Sequence, residues 1–250
     1  MVSDVPPDEP APDEAGTEEP GPLAQLGMLA MEEVALGPDL RHLEIYTLRG
    51  LLTALWHGPR DAQHVVLMSG GAMGGLLGPA HGLYHDLGTM FARQGIGTVR
   101  VGYRKPNDLN RCIHDVGAIA QLAYTRGARH FVTMGHSFGG AVAVSVAIAL
   151  TGHVRGVVTF ATQSAGCEVA GELPADVPLL LFHGDRDELL PWQCSETVRM
   201  IAGHGELVVL PGAGHLLSEA GDALRARLAA WVPEVFDQSG GESTERPAAV

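Results

Sequence analysis

His130-Phe131-Val132-Thr133-Met134-Gly135-His136-Ser137-Phe138-Gly139-Gly140 is the stretch on which the reading of this chain turns. A strand-like apolar run enters the pattern G-x-S-x-G, and an apolar run from Ala141 to Leu150, broken only by Ser145, follows at once. A serine between a strand and a helix sits on a sharp turn. Flanking glycines remove the Cβ atoms that would clash there, and the hydroxyl is left exposed at the helix start. The bland alternative is a Gly-rich turn without chemistry, and in a chain with 33 glycines the pattern alone does not dispose of it.

A serine hydroxyl is a poor nucleophile unless a base takes its proton during attack, and the base must itself be held by a third group. Both appear downstream. After the apolar run Pro178 to Phe182 comes His183-Gly184-Asp185-Arg186-Asp187-Glu188-Leu189-Leu190-Pro191, which sets two carboxylates at a strand end. After Leu207 to Leu210 comes Pro211-Gly212-Ala213-Gly214-His215, again at a strand end and just before a helical pattern. His215 is the natural base. On the residues alone Asp185 and Asp187 both qualify as the acid, and an Asp in such a loop also serves as a turn carboxylate accepting backbone N–H groups. His136 and His183 flank these positions and read as packing or hydrogen-bonding scaffold in preference to proton carriers.

Working outward, short apolar runs alternate with longer helical patterns. Strands are predicted at 43–49, 51–57, 64–69, 98–103, 131–135, 155–161, 178–183 and 206–210, and helices near 79–94, 108–126, 138–150, 191–203 and 216–232. The class is α/β, with a mostly parallel eight-stranded sheet and helices on both faces; in such sheets chemistry collects at the carboxyl ends of the strands. Hydrophobic residues at 46% and charged residues at 18% supply a sizeable core. Residues 1–22 hold seven acidic and no basic residues among many prolines and are expected to be disordered, as are residues 237–250. One domain at 23–236 remains.

The net charge of −13 disfavours nucleic-acid partners. Cys112, Cys167 and Cys194 stand at wide spacings with no CxxC pair, so no zinc or redox site is expected. No run approaches 18 apolar residues, and the first residues lack the pattern of a secretory signal. A cytoplasmic protein without a membrane partner is the expectation.

The three segments GHSFGG, HGDRDELLP and GAGH, in that order, resemble the α/β-hydrolase fold family over about 42–232. The resemblance implies a Ser137, His215, Asp187 triad; Asp187 is preferred to Asp185 because the family's acid stands four residues before the loop-closing proline, here Pro191. It also implies an oxyanion hole. One donor is the N–H of Phe138 at a helix N-terminus. The other belongs to the loop Ser69-Gly70-Gly71-Ala72-Met73-Gly74-Gly75, at Gly71 or its neighbour Ala72. A nucleotide loop is set aside, since neither G-x-G-x-x-G nor a P-loop lysine is present. Only 15 residues separate the strand ending near Thr162 from the one starting near Pro178, too few for a substantial lid.

The chain is therefore similar to the lidless dienelactone-hydrolase-like and small carboxylesterase branches, with Ser137 where dienelactone hydrolases use Cys. The implied activity is hydrolysis of a small-molecule acyl substrate through an acyl-enzyme, with neither metal nor organic cofactor. The rivals are a non-catalytic binding scaffold and an acyltransferase or lactonase using the same site. Arg104 is read as a structural ion-pair partner before a contact for an anionic substrate, and Trp192 as either a pocket wall or a cover for the sheet.

Overall fold

A computed structural model describes residues 20–238. The expected tails fall largely outside the described residues, but Pro22 and Asp237, assigned to them by sequence, are both helical. The strands are β1 (Met28–Gly37), β2 (Leu40–Thr47), β3 (Gly50–His57), β4 (His64–Ser69), β5 (Gly97–Gly102), β6 (His130–His136), β7 (Val154–Phe160), β8 (Leu179–Gly184) and β9 (Glu206–Leu210). They form one sheet in the order β1-β2-β3-β5-β4-β6-β7-β8-β9. Pairing is antiparallel from β1 to β5 along that order and parallel from β5 to β9.

This is the α/β class expected, with nine strands where eight are predicted. The extra one is β1, whose Met, Leu, Ala and Glu residues favour helix intrinsically; it is extended because its backbone pairs with β2 along its length.

The helices are α1 (Pro22–Gln25), α2 (Leu83–Ala92), α3 (Leu109–Arg126), α4 (Phe138–Ala149), α5 (Gln193–Ala202) and α6 (Gly221–Asp237). Successive side chains of a strand point to opposite faces, so a strand covered on both sides reads as a continuous apolar run. Thus Val65 and Leu67 of β4 pack with α3 and α4, while Val66 and Met68 pack with α2 and α6. Leu179 and Leu181 of β8 divide from Leu180 and Phe182 in the same way.

Between β7 and β8 there is one 3-10 turn, Glu168–Glu172, and no lid. No helix among the described residues is long and apolar enough to cross a membrane.

Candidate active site

Ser137 joins β6 to α4 with φ 56° and ψ −121°, outside the regions that side-chain-bearing residues favour. Such a conformation costs roughly 1–3 kcal/mol and persists only where the surroundings impose it. They do so here. A Cβ on Gly135 would overlap the Gly139 carbonyl, one on Gly139 would lie 2.6 Å from the Ser69 carbonyl oxygen, and one on Gly140 would strike Thr162. The Ser137 N–H donates to the Phe160 carbonyl at 2.8 Å, which ties the turn to β7. Phe138 opens α4, so its N–H is one of the helix's free donors. Its ring is buried against the edge of Tyr103.

The loop after β4 faces this turn. A Cβ on Gly71 would stand 3.8 Å from both the Ser137 Cβ and the His136 Nδ1, so Gly71 adjoins the serine. The Tyr84 hydroxyl donates to the Ser69 carbonyl and the Tyr103 hydroxyl to the Gly70 carbonyl, each at 3.0 Å, which braces the loop from α2 and from the segment after β5.

The acid and the base meet. The His215 Nδ1 lies 2.7 Å from Asp187 Oδ2, and the Asp187 side chain is fully buried. Asp187 Oδ1 accepts the backbone N–H groups of Leu189 and Leu190, both at 2.8 Å. Burial pushes this carboxyl's pKa up, but hydrogen bonds from Leu190, His215 and Leu189 outweigh that cost, and the net position is below the ordinary carboxylate value. Asp187 is therefore the anion, and the His215 Nδ1–H donates to it. The exposed Asp185 instead accepts the Gly212 N–H at 2.6 Å, the turn-carboxylate role, and does not reach the histidine.

Contacts from three other segments hold the His215 loop, and none of them was anticipated from sequence. The His215 N–H donates to Glu188 Oε2 and the Gly214 N–H to Glu219 Oε2, each at 3.2 Å. His136 Nε2 lies 3.0 Å from the His215 carbonyl. Burial pushes the His136 pKa down to about 4, so at neutral pH this ring is uncharged and Nε2–H is the donor. His136 is thus the scaffold expected. His183, fully buried, contacts Asp187 Oδ2 and the Leu190 carbonyl, both at 3.1 Å, through Nε2, and the Ser195 hydroxyl at 2.7 Å through Nδ1. Ser195, which sequence reasoning missed, lies with Val198 on the buried side of α5, where a hydroxyl needs a partner.

Ser137 and His215 open onto one cavity of about 410 Å³ lined by residues 70–78, His136, Leu189 and Leu216. Among the described residues the Ser137 hydroxyl makes no hydrogen bond. Arg104 is not part of this lining; it binds Asp115 at 2.5 Å through Nε and donates its backbone N–H to the same carboxylate at 2.8 Å, the structural ion pair expected. Trp192 is also absent from the cavity wall. Among the described residues no group of three His, Cys, Asp or Glu side chains is placed to hold a metal ion.

Solved structures share the architecture. Est1E from Butyrivibrio proteoclasticus superposes with a TM-score of 0.65 at 15% identity, over 78% of this chain and 99% of that one. A dienelactone hydrolase from Anabaena variabilis gives 0.66 at 17% identity, over 82% and 98%. An alpha-beta serine hydrolase homologue from Coxiella burnetii gives 0.62 at 19%, over 78% and 98%. At these identities the likeness speaks for the fold alone. No curated protein matches the sequence. The sequence model of the dienelactone hydrolase family, however, matches residues 93–230, more than half of the chain, from the end of α2 through the serine turn and the acid and histidine loops into α6. The chain belongs to the dienelactone hydrolase family.

Proposed function

We propose that the protein is a serine hydrolase that cleaves small esters through an acyl-enzyme. The observation that carries this reading is the buried Asp187–His215 hydrogen bond of 2.7 Å beside a serine held at φ 56° on the same cavity. In the first step Ser137 Oγ attacks the ester carbonyl, His215 Nε2 takes the hydroxyl proton, and Asp187 steadies the imidazolium. The oxyanion is received by the N–H of Phe138 and that of Gly71, with Ala72 next along the loop; a donor so placed is worth on the order of 10²–10³ in rate. His215 then gives its proton to the departing alcohol. Water, deprotonated by the same ring, attacks the acyl-enzyme and releases the acid and Ser137.

The cavity rim supports a small, largely apolar substrate. Met73, Leu77, Leu189 and Leu216 are exposed there without a lid to cover them. An extended acyl chain would find little further surface. The net charge of −13 fits neither nucleic acid nor an anionic membrane as partner, and three unpaired cysteines suit the reducing cytoplasm.

The test is hydrolysis of short-chain aryl esters and labelling by a fluorophosphonate probe. Ser137→Ala is expected to remove both while the circular dichroism spectrum is unchanged. Retained turnover in that variant would end the assignment, and a wild-type protein that neither turns over esters nor takes the probe would be a binding scaffold.

A further inference from the structure

We infer that His183 and Ser195 form a positioning relay behind the acid, in which Ser195 fixes the tautomer of His183 and His183 supplies Asp187 with a fourth N–H. The inference rests on the hydrolase reading above and adds how its acid is held and how its base is oriented.

Counting protons settles the direction of each bond. His183 Nε2 faces two acceptors, Asp187 Oδ2 and the Leu190 carbonyl, each at 3.1 Å. A bare nitrogen there would set lone pair against lone pair, so Nε2 carries hydrogen. The ring is fully buried, and burial pushes its pKa down, so it holds one proton only. Nδ1 is then bare, and the Ser195 hydroxyl, 2.7 Å away, donates to it. Hydrogens therefore run one way: Ser195 to His183, His183 to Asp187, with His215 Nδ1–H arriving at the same Oδ2 from the other side.

That sharing has a chemical consequence. A carboxylate held by four N–H donors is fixed in orientation, so Oδ2 stays aimed at His215 Nδ1 and the imidazole keeps its direction. The other titratable groups facing this cluster are His136, whose ring centre lies 5.0 Å from that of His215, and Glu188, whose Oε2 accepts the His215 N–H. Neither is hydrogen-bonded to His183 among the described residues.

The experiment is kcat and KM for a short-chain aryl ester at pH 8 in full-length wild type, His183→Phe, His183→Gln and Ser195→Ala. Losing the donor frees the carboxylate to turn and loosens the imidazole it holds. In His183→Phe kcat is expected to fall about tenfold with KM little changed. Ser195→Ala lowers kcat by less, and His183→Gln, whose amide N–H reaches toward Oδ2, returns it toward wild type. Should the phenylalanine variant fail to fold, the glutamine and alanine variants carry the comparison. An unchanged kcat in the folded variants, or an equal loss in the phenylalanine and glutamine variants, would mean packing alone and overturn the relay. The hydrolase reading stands or falls separately, on Ser137→Ala.

Discussion

Replacing Asp187 by Asn removes one charge and turns one acceptor into a donor, and the hydrogen bonds around it decide which end suffers. Four N–H groups converge on this carboxylate: the backbone donors of Leu189 and Leu190 on Oδ1, and the rings of His215 and His183 on Oδ2. An amide can accept at only one end. The backbone donors cannot change, whereas an imidazole can shift its proton, so the Asn oxygen goes to Leu189 and Leu190 and its NH₂ faces the histidines. His215 must then present a bare Nδ1 and carry its proton on Nε2, where it no longer accepts one from Ser137.

When the acid of a Ser–His–Asp triad is made an amide, the loss is about 10⁴ in kcat, and that is the loss expected here. Charge-assisted hydrogen bonds contribute roughly 1.5–3 kcal/mol each, so the weakened pair also costs on the order of 3 kcal/mol of stability. The assay is kcat/KM for an aryl ester at pH 8, with urea unfolding of the same samples. Asp185→Asn is the control: its single bond to Gly212 predicts about 1 kcal/mol and unchanged turnover. An Asp187→Asn protein within tenfold of wild type, or an Asp185→Asn protein equally impaired, refutes the reasoning.

Other expectations follow from buried charge. Burial pushes His57 and His136 down to about 4, so between the ordinary value near 6.5 and pH 4 the unfolded chain binds protons that the native state refuses. Stability is full above about pH 6.5 and declines below it by on the order of 3 kcal/mol for each ring, which a urea midpoint unchanged from pH 7 to pH 5 would contradict. Arg104→Met leaves Asp115 buried without its cation and should cost about 3–5 kcal/mol, less at low pH where that carboxyl protonates, with KM for a neutral ester unchanged. A raised KM would instead assign Arg104 to the substrate.

Where the sequence was legible, a local pattern coincided with a local constraint. The serine turn could be read because Gly135 is required by the Gly139 carbonyl four residues on, and the strand ends because β4, β6 and β8 are apolar on both faces. Element boundaries were less legible. The helix expected from residue 79 begins at Leu83, since Ala80, His81 and Gly82 all take positive φ, and the one expected from 216 begins at Gly221, after Leu217 does the same. That last helix also runs past Pro233, a residue that normally ends one, to Asp237. Burial of Val235 and Phe236, the latter stacked on His64 at 4.6 Å, outweighs the lost bond.

The links between segments were out of reach of spacing altogether, and they distribute rigidity unevenly over the site. His215 is held at its backbone nitrogen by Glu188, at its carbonyl by His136 and at Nδ1 by Asp187, three contacts from two segments, the loop after β8 and the end of β6. Ser137 is fixed equally well in its backbone, by Phe160 and the glycine contacts, while its hydroxyl is tied to nothing among the described residues. The imidazole is therefore over-determined and the serine side chain retains one free torsion, with three staggered wells separated by small energies. Rotation about that bond leaves the backbone of the turn, with its contacts to Phe160 and the glycines, undisturbed. A substitution that loosens the histidine loop would instead free several torsions at once, which is why Glu188 and His136, acting through the backbone of His215, belong to the same physical argument as the serine itself.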